Sequence, residues 1–113
     1  MHELAITEGI LKTVLPAAEQ GGAKKILEIR LRIGEFADVI PECVQAYLDV
    51  IGVGTIAEGA KVVAETVPST AACRSCGFTG HIDRRLAKCP ECGSDDIRLL
   101  SGREFTVESI ACE

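Results

Sequence analysis

The sequence predicts an α+β fold: a small mixed β-sheet with two helices on one face, plus an inserted zinc-ribbon-like lobe. Three observations lead there. Two stretches carry apolar residues at the helical period, shorter stretches alternate or cluster as strands do, and two CxxC units share one segment that is poor in core-forming residues.

The first helix is expected from Leu4 to Ala18, where Leu4, Ile10, Leu11, Val14, Leu15 and Ala18 recur at steps of three and four. Gly21 and Gly22 end it, because glycine takes the left-handed turn that closes a helix. From Ile26 to Ile33 the period changes to two. Leu27, Ile29, Leu31 and Ile33 fall on one face and Glu28, Arg30 and Arg32 on the other, a half-buried strand stopped by Gly34.

A second helix is expected to start near Pro41, a residue suited to the first helical position, with Val44, Tyr47, Leu48 and Ile51 on one side and Gly52 and Gly54 after its end. Lys61 to Val67 reads as a further strand with Val63 and Val67 on one face, closed by Pro68. Ile97 to Leu100 and Phe105 to Ala111 are again strand-like, interrupted at Ser101 and Gly102. The expected division is an α/β domain from residues 1–68 and 97–113, with a metal-binding lobe at 69–96.

Bulk properties narrow the function. A chain of 113 residues holds one core plus a small clamped lobe, which leaves no room for a large enzyme. No apolar run approaches a bilayer span, and the chain opens on His2 and Glu3 rather than on a basic segment, so a cytoplasmic protein without membrane partners is expected. The net charge of -5 and the four aromatic residues Phe36, Tyr47, Phe78 and Phe105 provide neither a phosphate-binding field nor a stacking platform for nucleic acid.

Six cysteines in a reducing compartment favour metal over disulfides. Four form the units Cys73-Arg-Ser-Cys76-Gly and Cys89-Pro-Glu-Cys92-Gly, with twelve residues between Cys76 and Cys89. Two residues between each pair let the chain turn back so that both sulfurs reach one ion, and Gly77 and Gly93 tolerate the tight backbone that follows. Cys73, Cys76, Cys89 and Cys92 are therefore the expected zinc ligands. Zinc suits four thiolates because it is borderline soft and free of ligand-field preference. A lobe this small buries too little apolar surface to fold alone, so ligation must supply its folding free energy, roughly 10 kcal/mol or more. Arg74, Arg84, Arg85 and Lys88 are read as compensation for the surplus negative charge of the site, with contact to a partner as the second reading.

Four sulfurs leave no open coordination position, so this metal organises structure and no catalytic residue is assigned. Function is sought at the start, Met1-His2-Glu3. A bulky second residue generally blocks removal of the initiator methionine, which keeps the histidine at position two. Its imidazole and the adjacent main-chain amides can close small chelate rings, and a nitrogen-rich square-planar set favours Ni(II) or Cu(II).

Met-His-Glu at the start, the strand and turn LEIRLRIGEF, the AEGAKV segment, the CxxC unit and the CPxCG unit together resemble the HypA family of hydrogenase nickel-incorporation proteins over nearly the whole chain. The resemblance implies a nickel metallochaperone, not an enzyme, that hands Ni(II) to the maturing large subunit of [NiFe] hydrogenase. It works with the GTPase HypB, and some members serve urease maturation. It further implies nickel binding by His2, with its own main-chain nitrogen and that of Glu3, and zinc binding by the four cysteines. Many members carry an acidic residue where Ile40 stands, and Asp38 and Glu42 are the nearby carboxylates. His81 is the only other histidine and is read as an exposed loop residue; Cys43 and Cys112 receive no role.

Two other classes compete. A zinc-ribbon adaptor binding protein or nucleic acid would associate in a salt-dependent way, against which the acidic balance argues. A thiol enzyme would need a base beside its nucleophile, and neither Cys43 nor Cys112 has a histidine near it in sequence.

Overall fold

The computed structural model describes residues 3–83 and 85–113, so His2 and Arg84 lie outside the described residues. Its elements are α1 (Glu3–Gln20), β1 (Ile26–Gly34), α2 (Pro41–Ile51), β2 (Lys61–Val67), β3 (Thr70–Cys73), β4 (Thr79–His81), β5 (Ile97–Ser101) and β6 (Phe105–Cys112). The α+β class holds, with two helices, small sheets and a four-cysteine lobe. The strands form two three-stranded sheets rather than one, in the orders β2-β1-β6 and β4-β3-β5.

The chain divides into two compact units. The first comprises Met1–Leu31, Val39–Glu65 and Thr106–Glu113, and the second Arg32–Asp38 and Thr66–Phe105. These boundaries cross β1, β2 and β6, and residues 97–105 cluster with the cysteine segment. The reason is β5, expected with the helical domain, which instead pairs antiparallel with β3, Cys73 facing Ile97 and Ala72 facing Arg98. The four-residue TAAC of β3 is too short and too small in its side chains to announce a strand, although Ala71 and Cys73 are buried.

In the first unit α1 buries Thr7, Ile10, Leu11, Val14 and Ala18, the spacing of one helix face. It closes in a Schellman turn: the Gly22 N–H donates to the Glu19 carbonyl at 3.0 Å and the Ala23 N–H to the Ala18 carbonyl at 3.0 Å, with Gly22 at φ 74. Within α2, Val44 and Leu48 are buried, while Tyr47, expected on the same side, is 41% exposed. At 3.6 residues per turn Tyr47 lies on the shoulder of the Val44–Leu48 stripe. The alternation of β1 also departs from expectation at its start, where Ile26 is buried and Leu27 is 43% exposed; Ile29, Leu31 and Ile33 are buried as expected. The Ile26 N–H donates to the Ile56 carbonyl, which ties the strand entry to the loop after α2.

The second unit has a core of smaller side chains, with Ala37, Val67, Ala71 and Ile82 buried beside Cys73 and Cys89. Its backbone is crowded at Gly34, where a Cβ would strike the carbonyl of Gly102. Among the described residues no helix is long and apolar enough to cross a membrane.

Candidate metal centre

Both cysteine units fold as the same turn, which is why the sulfurs converge. In the first, β3 delivers Cys73, the Gly77 N–H donates to the Cys73 carbonyl at 3.0 Å, and the Cys73 N–H donates to the Phe78 carbonyl at 2.7 Å. In the second, the Gly93 N–H donates to the Cys89 carbonyl at 2.9 Å and the Cys89 N–H to the Ser94 carbonyl at 2.8 Å. Gly77 and Gly93 sit at φ 80 and 76, and a Cβ at either would meet nothing within 4 Å. Glycine is required there by the backbone angle and not by lack of space.

The four sulfurs lie within 4.8 Å of one another, with Cys73 Sγ 3.6 Å from Cys92 Sγ and Cys76 Sγ 3.6 Å from Cys89 Sγ. All four cysteines are free of disulfides. A tetrahedron with metal–sulfur bonds of about 2.3 Å has edges of about 3.8 Å, close to the two 3.6 Å pairs, so the four sulfurs can close around one four-coordinate ion. Among the described residues it is the one cluster of three or more ligand-type side chains.

The surrounding backbone favours sulfur anions. The N–H groups of Glu91 and Cys92 point at Cys89 Sγ at 3.4 and 3.5 Å. The N–H of Cys76, helped by that of Ser75 and by neighbouring thiols, draws the Cys73 thiol down to about 7 against its burial. The Phe78 N–H likewise favours the Cys76 thiolate, but burial and the thiols of Cys89, Cys92 and Cys73 outweigh it and push Cys76 up to about 12. Cys92 is also raised: the Ser94 N–H pulls it down, and burial together with Cys73 pulls it up further. Packed this closely, the thiols ionise together only when a cation replaces their protons.

Of the basic side chains expected to offset the sulfur charge, Arg74 pairs with Asp96 at 3.6 Å and Arg85 with Asp83 at 3.6 Å, both guanidinium groups more than half exposed, and Arg84 lies outside the described residues. Backbone N–H donors face Cys89 Sγ directly. His81 stands on β4 with Nε2 3.4 Å from Glu35 Oε1, an oxygen that also accepts from the Ser69 N–H at 3.2 Å, and it takes no part in the sulfur cluster.

At the other candidate site, the expected ligand His2 lies outside the described residues. Glu3, the first residue of α1, accepts from the Ile40 N–H through Oε2 at 3.4 Å, across 37 positions of sequence. The start of α1 and the start of α2 thus meet, and Glu42 occupies the first turn of α2. No motif announces this contact, since Ile40 takes part through its backbone. A cleft beside it is lined by Glu3, Leu4, Ala5, Glu8 and Tyr47. Asp38 lies in the turn before α2 at φ 55. Cys43 is half-buried on α2 and Cys112 exposed on β6, both as free thiols.

Residues 1–112 match the family described as hydrogenase/urease nickel incorporation, metallochaperone, hypA. A hydrogenase maturation factor HypA of Dehalococcoides mccartyi is 39% identical over 110 residues, covering 97% of this chain and 92% of that protein. Another, of Methanothermobacter thermautotrophicus, is 37% identical over 120 residues, covering 100% and 98%. The solution structure of the Ni metallochaperone HypA from Helicobacter pylori shares the fold at a TM-score of 0.66 and 16% identity, over 99% of this chain and 97% of that one. A second HypA solution structure aligns at a TM-score of 0.71 and 16% identity, over 100% and 97%.

Proposed function

The chain belongs to the HypA family of hydrogenase/urease nickel-incorporation metallochaperones, and we propose that it binds Ni(II) at its amino terminus and delivers it for maturation of [NiFe] hydrogenase. In this reading Cys73, Cys76, Cys89 and Cys92 hold a structural zinc ion. His2 binds nickel through its imidazole and main-chain nitrogen, and the amide nitrogen of Glu3 adds to the set. The first unit carries the nickel chemistry and the second the zinc. The reading includes a cytoplasmic location, the GTPase HypB and the hydrogenase large subunit as partners, and urease maturation proteins as further ones.

The observation that carries the proposal is the full-length match to a nickel-incorporation family in a chain whose sulfur cluster is already complete with four ligands. Nickel chemistry then falls to the terminus, and the position of α1 supports this. Glu3 opens the helix, and the first N–H groups of a helix have no intrahelical acceptor. An amide there gives up its proton to a metal without breaking the ladder, a loss that an interior amide could not avoid. The carboxylate of Glu3 is engaged with the Ile40 N–H, which fixes the first turn beside α2.

The zinc ion supplies no reaction chemistry in this reading, because four thiolates close its coordination shell. It holds the two turns together. Nickel at amide and imidazole nitrogens behaves oppositely with respect to release, since protons compete for its ligands. Affinity for nickel falls as pH drops, with imidazole protonation contributing.

Isothermal titration with Ni(II), alongside zinc analysis of the same samples, tests the proposal. His2→Ala, or a few residues fused before Met1, is expected to abolish specific nickel binding while zinc content stays the same. Unaltered nickel affinity in both variants would remove the terminal site.

A further inference from the structure

The second helix carries two apolar stripes and its own fold uses one. Val44 and Leu48 are buried in the core. Ile40, Cys43, Tyr47 and Val50 follow the spacing three, four, three along the flank next to that stripe. Ile40 is 54% exposed, Tyr47 41% and Val50 70%, with Cys43 half-buried. Leu4, 39% exposed, joins Tyr47 in lining the cleft beside α1. An exposed stripe with this period matches the seam that one helix offers another, because residues three and four apart stack on a single face.

The charged residues that line the cleft and those of α2 are acidic. Glu3 and Glu8 line the cleft, Glu42 and Asp49 lie on α2, and no Lys or Arg occurs from residue 41 to residue 60, while Lys12 follows Glu8 by one turn of α1. An acidic rim disfavours an anionic lipid surface and a second copy of a chain whose net charge is -5.

We infer that the Cys43–Tyr47–Val50 face of α2, with Ile40 just before the helix and the Leu4 cleft, is the docking surface for an amphipathic helix of a partner protein whose apolar seam is edged by Lys and Arg. The partner's seam side chains fill the cleft between Leu4 and Tyr47, and its basic edge meets Glu3, Glu8 and Glu42. The inference deepens the proposed function, since Glu3 belongs both to this cleft and to the turn next to His2, but it requires no bound nickel. A docked helix lies at the first turn of α1, where a delivered ion would leave.

Tyr47 is the only tyrosine and the chain has no tryptophan, so its emission reports on this surface alone. The probe is a synthetic helical peptide of about five turns with a leucine seam, lysines at its edges and no aromatic residue, added to full-length zinc-loaded protein without nickel. A twin peptide with glutamate in place of each lysine serves as the control. The lysine peptide is expected to change the Tyr47 emission saturably, and the glutamate twin to leave it unchanged. Val50→Ser, at a position too exposed to disturb packing, is expected to weaken binding about tenfold. Glu8→Gln is expected to weaken it a few-fold, and Glu65→Gln on β2 to leave it unaltered. Undiminished binding by Val50→Ser, equal binding of the glutamate twin, or dimerisation of the protein alone that Val50→Ser abolishes would each overturn the inference. Because nickel is absent throughout, failure here leaves the terminal nickel site to be judged by its own titration.

Discussion

The two units of this chain are held together by different means. The helical unit has a core of large aliphatic side chains, with Val14, Ile26, Ile29, Leu31, Val44 and Leu48 all at 2% exposure or less. The cysteine unit buries one comparably large side chain to that depth, Ile82, beside alanines and the sulfurs of Cys73 and Cys89. Apolar burial at about 25 cal/mol per Å² can stabilise the first, whereas the second lacks the area to offset its chain entropy. The difference teaches that one small protein can stabilise one unit by apolar burial and leave another to a cluster of four cysteines.

Removing the zinc attacks this contrast at its strongest point. Chelation, or Cys89→Ser, is expected to withdraw roughly 10 kcal/mol from the cysteine unit alone. Amide exchange should lose protection at Ala71, Ala72 and Ile82 and keep it at Ile29, Leu31 and Val44. Simultaneous loss in both sets would mean that the units do not fold separately.

The converse substitution is Leu48→Ala, which opens a cavity in the aliphatic core and is expected to cost about 2–5 kcal/mol in chemical denaturation. Zinc per chain should remain the same. A fall in zinc content would show that the helical core supports the sulfur site.

A smaller effect tests the backbone of the cysteine unit without touching a ligand. Gly34→Ala puts a Cβ against the Gly102 carbonyl, which also accepts from the Phe36 N–H at 2.6 Å. Because the struck atoms are backbone, a cost at or above the upper end of about 1–3 kcal/mol is expected, read as easier zinc loss to a competing chelator at unchanged α1 and α2 exchange.

The smallest expected effect is electrostatic. Glu104 accepts from the Gly102 N–H at 2.5 Å, and that bond, with further backbone N–H groups and Arg32, holds its carboxyl below the ordinary value of 4.5. A depressed folded value contributes stability that is present above the unfolded pKa and lost as pH falls through the folded one. Glu104→Gln should therefore lower stability in the neutral region slightly and flatten the fall on the acid side. An unchanged acid limb would assign the acid sensitivity to the thiolates instead.

Much of this could be read from residue spacing. The 3.6 period of α1, the proline that opens α2, the run of Lys61–Val67 and the paired CxxC units each state a local rule, and the structure follows them. Reading failed where a neighbour decides. Ile26 is buried in place of Leu27 because the strand entry is tied to Ile56, and the alternating pattern could not register that contact. Tyr47 was expected inward on helical period alone, but it sits at the edge of the buried stripe.

The sequence by itself determined the sulfur ligand set and both helices, because a two-residue spacer and a helical period act within a few residues of chain. Tertiary structure alone decided that β5 joins β3, that Glu3 meets the Ile40 N–H, and that Arg74 and Arg85 turn to Asp96 and Asp83. Each of these is a contact between segments distant in sequence or a matter of where a long side chain ends, and neither leaves a mark in local composition.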